Sequence, residues 1–150
     1  MSTLAPLSES EIRQFVDEWY HKLDIHAPLA AFLAMVADEG ILFRFPEVTV
    51  TDKAGLTQWY NRVTHTFFDE IHQMQQLAIS TEHDRATIKL QVLWQASTWT
   101  PPAPKSERLA FLTRQTWDVE RSDKTGRPVV VTYLVDSFEP LAGSSSLPVR

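Results

Sequence analysis

The chain contains no cysteine. Disulfides, thiolate metal sites and cysteine nucleophiles are therefore excluded, and the composition suits a reducing, cytoplasmic setting. Glycine is also scarce, with four among 150 residues. They form no Gly-x-Gly-x-x-Gly loop to cradle phosphate and no Gly-x-Ser-x-Gly nucleophile turn. No apolar run approaches the ~20 residues of a membrane helix. Met1 to Glu11 lacks the basic-then-apolar order of a secretory signal. Positive charge is not in excess either: 14 Lys and Arg stand against 19 Asp and Glu, a net charge of −5. The basic residues are scattered, which argues against nucleic acid as a partner. Arg121, Lys124 and Arg127, in an apparent hairpin loop with Asp123, read as solvated charge. The histidines offer no metal set. His65 and His72 straddle a helix-to-strand junction, His21 and His26 flank a helix end, and none has His-Glu-x-x-His spacing. We expect neither a metal nor a cofactor.

What the chain does have is a change of period. Ser8-Glu9-Ser10-Glu11 is a capping-box pattern. Ile12, Phe15, Val16, Trp19 and Leu23 follow it at spacings of three and four, so a helix is predicted over about 9–23. Pro28 suits the first turn of a second helix, with Leu29, Phe32, Leu33 and Val36 as its buried face and Gly40 at its end. Two short extended pieces follow, 41–45 and 48–50. Thr51 or Asp52 can cap a third helix, carrying Leu56, Trp59, Tyr60, Val63 and Phe67 at helical spacing.

From Phe68 to Pro140 the pattern becomes strand-like, in four long stretches. Ala86, Ile88, Leu90, Val92, Trp94 and Ala96 alternate with polar residues, and Leu109 to Val119 repeats the pattern. Glu82-His83-Asp84 and Ser122 to Gly126 read as turns, and the prolines of 100–105 as a loop that cannot join a ladder. Val129 to Phe138 is apolar on both faces, as in a strand covered on both sides. Gly143 to Arg150 reads as a mobile tail. Helices first and long strands afterwards predict a single α+β domain over 1–150, with its core at about 8–140. It would be a cone: a curved antiparallel sheet with three helices from the N-terminal half on its concave face, around an apolar cavity.

This order resembles the nuclear transport factor 2-like superfamily, including its SnoaL-like branch, over roughly residues 8 to 140. Two segments carry the resemblance. Glu18-Trp19-Tyr20-His21-Lys22-Leu23-Asp24 is similar to the end of the family's first helix. Ile71-His72-Gln73-Met74-Gln75-Gln76-Leu77-Ala78-Ile79 is similar to the strand after its third helix. The resemblance implies a pocket open at one end, a small-molecule ligand and a homodimer formed through the sheet. It does not name a chemistry, because the family spans dehydratases, isomerases, epoxide hydrolases, cyclases and non-catalytic modules.

On that resemblance His72 points into the pocket and can move protons near neutral pH. Asp24 stands where dehydratase-like members carry a carboxylate, and it would orient the imidazole. The competing readings are a core histidine bonded to backbone and a helix-junction aspartate. The residue before Asp24 is Leu23 rather than tyrosine, and no second pocket histidine can be placed on a later strand. Tyr20 and Gln76 are candidate polar anchors. Trp19, Phe43, Trp59, Trp94, Trp117 and Tyr133 are aromatic candidates for the lining of a site for a ring-containing ligand. Gln115 must find partners on its apolar face. Asp38 as a loop base, and Arg114, Asp118 and Asp136 as an epoxide-opening set, are weaker alternatives, since Arg114 and Asp118 share the strand side opposite Trp117 and point outward if Trp117 points inward. The leading function is a small-molecule pocket protein acting as a cofactor-independent lyase or isomerase. The alternatives are a non-catalytic binding or dimerisation module and an accessory subunit of an oxygenase-like partner.

Overall fold

In the computed structural model, which describes residues 5–147, Ser8 opens helix α1 (Glu9–Asp24) by accepting the Glu11 N–H at 3.1 Å. The expected stripe, joined by Tyr20, is the buried face. The Glu11 side chain does not reach back to complete a capping box. It binds Arg121 instead, at 2.6 and 2.9 Å.

The second helix is shorter than its pattern predicts. α2 is Leu29–Leu33, and the chain leaves it to bond the sheet: Val130 N–H donates to Met35 O (2.9 Å) and Ala37 N–H to Val130 O (3.0 Å). Val36 therefore makes a bridge beside Val130 rather than a helical contact. Strands β1 (Leu42–Arg44) and β2 (Thr49–Val50) form a small hairpin. Asp52 then caps α3 (Lys53–Thr66), taking the Gly55 N–H at 2.7 Å. A side chain at Gly55 would meet Asp52 Oδ1 at 3.1 Å and Val50 Cγ1 at 3.2 Å, so the glycine makes room for the cap.

The four long strands are β3 (Phe68–Glu82), β4 (Arg85–Thr98), β5 (Glu107–Arg121) and β6 (Pro128–Pro140). Sheet order is β2-β1-β6-β5-β4-β3. The sheet is mixed rather than wholly antiparallel, because β1 runs parallel to β6. Its curvature has a local cause. The β3–β4 ladder shifts register between Phe68 and Ile71 and between Met74 and Gln76, and the β5–β6 ladder between Arg114 and Gln115 and between Asp118 and Val119. An extra residue on one strand bends it and tightens its twist. The helices lie in the resulting hollow, where Trp19, Phe32, Leu56, Ile88 and Trp117 are fully buried. A smaller cluster of Phe67, Trp94, Ala96, Leu109 and Phe111 sits apart from this core. Among the described residues no helix is long and apolar enough to cross a membrane.

Two expectations about charge and mobility need correction. Arg121 is not solvated. Its side chain is 9% exposed and donates to the carbonyls of Ala5, Pro6 and Gly126 as well as to Glu11. A planar fork with five donors can hold the N-terminal segment, the hairpin and α1 at once. The tail is also not loose as far as Leu147, and its last residues, 148–150, lie outside the described part. Ala110 N–H donates to Ser144 Oγ (2.9 Å), Ser145 N–H donates to Arg108 O (3.0 Å), and Leu147 packs on the smaller cluster. Replacing Arg121 by Met should cost ~2 kcal/mol in urea denaturation, the scale of lost charged hydrogen bonds. A cost below ~0.5 kcal/mol would return Arg121 to the class of solvated surface charges.

Candidate active site

α1 ends on β3, and the meeting point is His72. With Glu70 and Met74 it lies on the partly buried, inward side of β3. The Asp24 carboxylate takes both hydrogens that this residue offers: ring Nδ1 lies 2.5 Å from Oδ1, and the backbone N–H is 3.3 Å from Oδ2. An ionised carboxylate only accepts, so Nδ1 carries a ring proton, and in the neutral ring the lone pair falls to Nε2. Nε2 makes no hydrogen bond among the described residues. One face of the ring lies against Tyr20, with centroids 4.7 Å apart and planes at 22°. The His72 side chain is 11% exposed and that of Asp24 26%.

Tyr20 is itself anchored. Its hydroxyl donates to Gln115 Oε1 at 2.9 Å, and Trp117 Nε1–H donates to the same oxygen at 3.0 Å. The Gln115 amide donates to Thr113 Oγ1 (2.9 Å), which donates to Val92 O (3.2 Å). Gln115 thus meets its hydrogen-bonding needs inside an apolar face, and the network holds the platform under the imidazole.

A second histidine–carboxylate pair lies two residues back on β3. His26 Nε2 bonds Glu70 Oε2, and Trp94 Nε1–H donates to Glu70 Oε1 at 3.1 Å. Both Glu70 oxygens are occupied, and its side chain is 8% exposed. His26 reaches it from a left-handed backbone conformation (φ 52°) just past the end of α1, an uncommon one for a residue with a Cβ. The next carbonyl, Ala27 O, accepts the Tyr60 hydroxyl.

Between α3 and the sheet lies a cavity of about 610 Å³. Trp59, Arg62 and Val63 line it from α3, Phe67 from just past the helix end, and Phe45, Glu47 and Val48 from the β1–β2 hairpin. From the sheet come Glu70, His72, Trp94, Thr113, Gln115, Tyr133, Val135 and Phe138, with Leu23 and Leu147 at the margins. The cavity therefore touches both apolar clusters.

Of the aromatic candidates, Trp59, Trp94 and Tyr133 line this space. Trp19, Phe43 and Trp117 do not. They are sealed in the main core, stacked around Tyr133. Tyr20 stands behind His72 rather than on the wall. Gln76 is exposed: the irregularity after Met74 sets Gln76 opposite Gln91 on the outer face and gives Leu77 the inward place opposite Leu90. Asp38 is an exposed ion-pair partner of Lys53 and Lys124, whose hydrogen bonds lower its pKa to about 2. Arg114, Asp118 and Asp136 are exposed. Sequence reasoning did not find Glu70, Arg62 and Glu47. The inward phase shared by Glu70 and His72 was a usable signal, and so was the helical spacing of Arg62 from Trp59.

No family model matches the sequence, and no curated protein is similar to it. Solved structures are similar in shape. A provisionally assigned scytalone dehydratase from Novosphingobium aromaticivorans superposes with a TM-score of 0.74 at 13% identity, over 94% of this chain and 88% of that one. The hexachlorocyclohexane dehydrochlorinase LinA, type 3, from Novosphingobium barchaimii gives 0.69 at 17% identity, over 93% and 94%. A provisionally assigned dehydratase of the nuclear transport factor 2-like family from Streptomyces avermitilis gives 0.70 at 9% identity, over 89% and 95%. The chain has the nuclear transport factor 2-like fold. At such identities the likeness concerns the backbone, and the side chains of this particular cone must carry any chemistry.

The phenols give one test of the site's dryness. Burial pushes Tyr133 up to about 12 and Tyr20 well above the ordinary phenol range; Tyr60 is raised by burial and then by the Glu70 charge. A raised folded pKa gives stabilisation that is complete below the unfolded value near 10 and is lost as pH climbs through the folded values. Native protein at pH about 10 should therefore show little phenolate absorbance, while denatured protein shows about half its tyrosines ionised. Stability should fall between pH about 10 and 12, and less steeply in Tyr133→Phe. Half-ionised tyrosine in the native protein at pH 10 would mean that water reaches these groups.

Proposed function

We propose that the protein is a cofactor-independent lyase that eliminates a small leaving group from a ring-containing substrate held in the cavity. The observation that carries this reading is the His72–Asp24 pair at the wall of a largely apolar space. Nε2 removes a proton from a substrate carbon, the C–H electrons form a double bond, and hydroxide or halide departs from the neighbouring carbon. Asp24 holds the ring in the required tautomer and stabilises the imidazolium that forms, as a carboxylate does wherever it orients a catalytic histidine. Apolar walls strengthen that ion pair by excluding water. Glu70 is a poor choice of base, because its two oxygens are held by His26 and Trp94.

The neighbours' printed activities lend support, since dehydration and dehydrochlorination are both eliminations. Their identities are too low to transfer a substrate. The test is a screen of cyclic alcohols and halides that carry a proton on the carbon next to the leaving group, with product followed by mass spectrometry. For any substrate found, His72→Ala and Asp24→Asn should each lower turnover by about 10²–10⁴-fold. Both variants should stay folded, with melting temperatures lowered by a few degrees at most for the loosened contact between α1 and β3. Turnover that survives His72→Ala at the wild-type rate would sink the proposal.

A further inference from the structure

The cavity wall carries one permanent cation among the described residues, Arg62. It stands on α3 three residues after Trp59, and Val63 stands four after Trp59, so helical spacing makes that tryptophan the neighbour of both along the cavity side. Its Nε–H is shut away from solvent with no hydrogen-bond partner, and its guanidinium forms no ion pair among the described residues. Two carboxylates share the wall, and neither pairs with Arg62. Glu47 accepts the Trp59 indole N–H at 3.1 Å, and Glu70 is held by His26 and Trp94. A buried N–H without a partner is costly, and a ligand entering the cavity would supply the acceptor that this one lacks. A guanidinium presents paired N–H groups that match the two oxygens of a carboxylate.

We propose that Arg62 binds a carboxylate on the substrate, so that the ligand of this cavity is a ring-containing carboxylic acid in its anionic form. The inference rests on the lyase reading for the use of the site, though not for its occupancy. The acid group pairs with Arg62 on the helical wall and the ring lies among Trp59, Trp94 and Tyr133. The ring is thereby presented to His72 on the sheet wall across the same space.

The test compares naphthoate with naphthamide, which is its neutral isostere, by isothermal titration calorimetry on the full chain. Wild type should bind naphthoate about 10- to 100-fold more tightly than naphthamide, the range of a charge-assisted hydrogen bond. Arg62→Met should bring the two affinities within about threefold by weakening the acid alone. Arg62→Lys, which keeps the charge and loses the fork, should fall between. Equal affinities in wild type, no saturable naphthoate binding at millimolar concentration, or an acid preference that survives in Arg62→Met would each overturn the assignment. His72→Ala separates the two proposals, because it should keep the full acid preference. An intact, Arg62-dependent preference alongside turnover indifferent to His72 would refute the lyase and leave the anchor standing.

Discussion

The carboxylate of Asp24 ties the last residue of α1 to β3, the first of the four long strands, and the character of the cavity depends on that joint. Oδ1 takes the ring of His72 and Oδ2 its backbone N–H, so one side chain sets both the strand's position under the helix and the tautomer of the imidazole. Without this acceptor the histidine would be free to turn, and either nitrogen could face the ligand. With it, the nitrogen left over is Nε2. The same contact closes the floor of the hollow, since α1 packs on β3 where the strand passes under its end.

Polar groups this deep are costly unless they find partners. Around Gln115 the chain meets this need with a short relay of side chains. Tyr20 and Trp117 converge on the Gln115 carbonyl, whose amide turns to Thr113, and Thr113 reaches the backbone of β4. Each member is fixed by the next, and Tyr20, at the end of the relay, stacks on His72. The platform behind the imidazole is therefore rigid on the side away from the ligand. Catalytic geometry benefits from such support, because a base misplaced by an ångström loses much of its advantage.

The fold was legible where periodicity is long. The stripe of α1 and the alternation of β4 and β5 each run over many residues, and one buried face leaves no ambiguity about phase. Short elements were not legible in the same way. Leu29 to Val36 has the spacing of a helix, yet the hydrogen bonds offered by Val130 end it after five residues, and a tertiary partner of this kind leaves no local mark. The irregularity after Met74 was invisible for a similar reason: uninterrupted alternation from His72 carries Gln76 inward, and one extra residue reverses it. For the site, His72 and Asp24 drew attention through resemblance rather than periodicity, and the 2.5 Å contact between them spans 48 positions. Glu70 looked like an ordinary polar strand residue. Its importance comes from Trp94 and His26, neither adjacent in sequence.

Two histidine–carboxylate pairs on one strand face invite the question of why they would not be interchangeable. The answer lies in which partner faces the cavity. In the first pair the histidine is on the wall and the carboxylate behind it, so Nε2 is left without a protein partner and the acid serves to orient the ring. In the second the order is reversed: Glu70 is on the wall and His26 stands outside it. A carboxylate whose oxygens already accept from an imidazole and an indole has little capacity left to take a proton from a ligand. Its use is structural, joining the turn after α1 to Trp94 and keeping the smaller aromatic cluster against the main core. On the lyase reading, similar residue types divide into a reactive joint and a fixing joint by orientation alone. With or without that reading, Asp24–His72 and His26–Glu70 hold the end of α1 and the turn after it at two consecutive inward positions of β3.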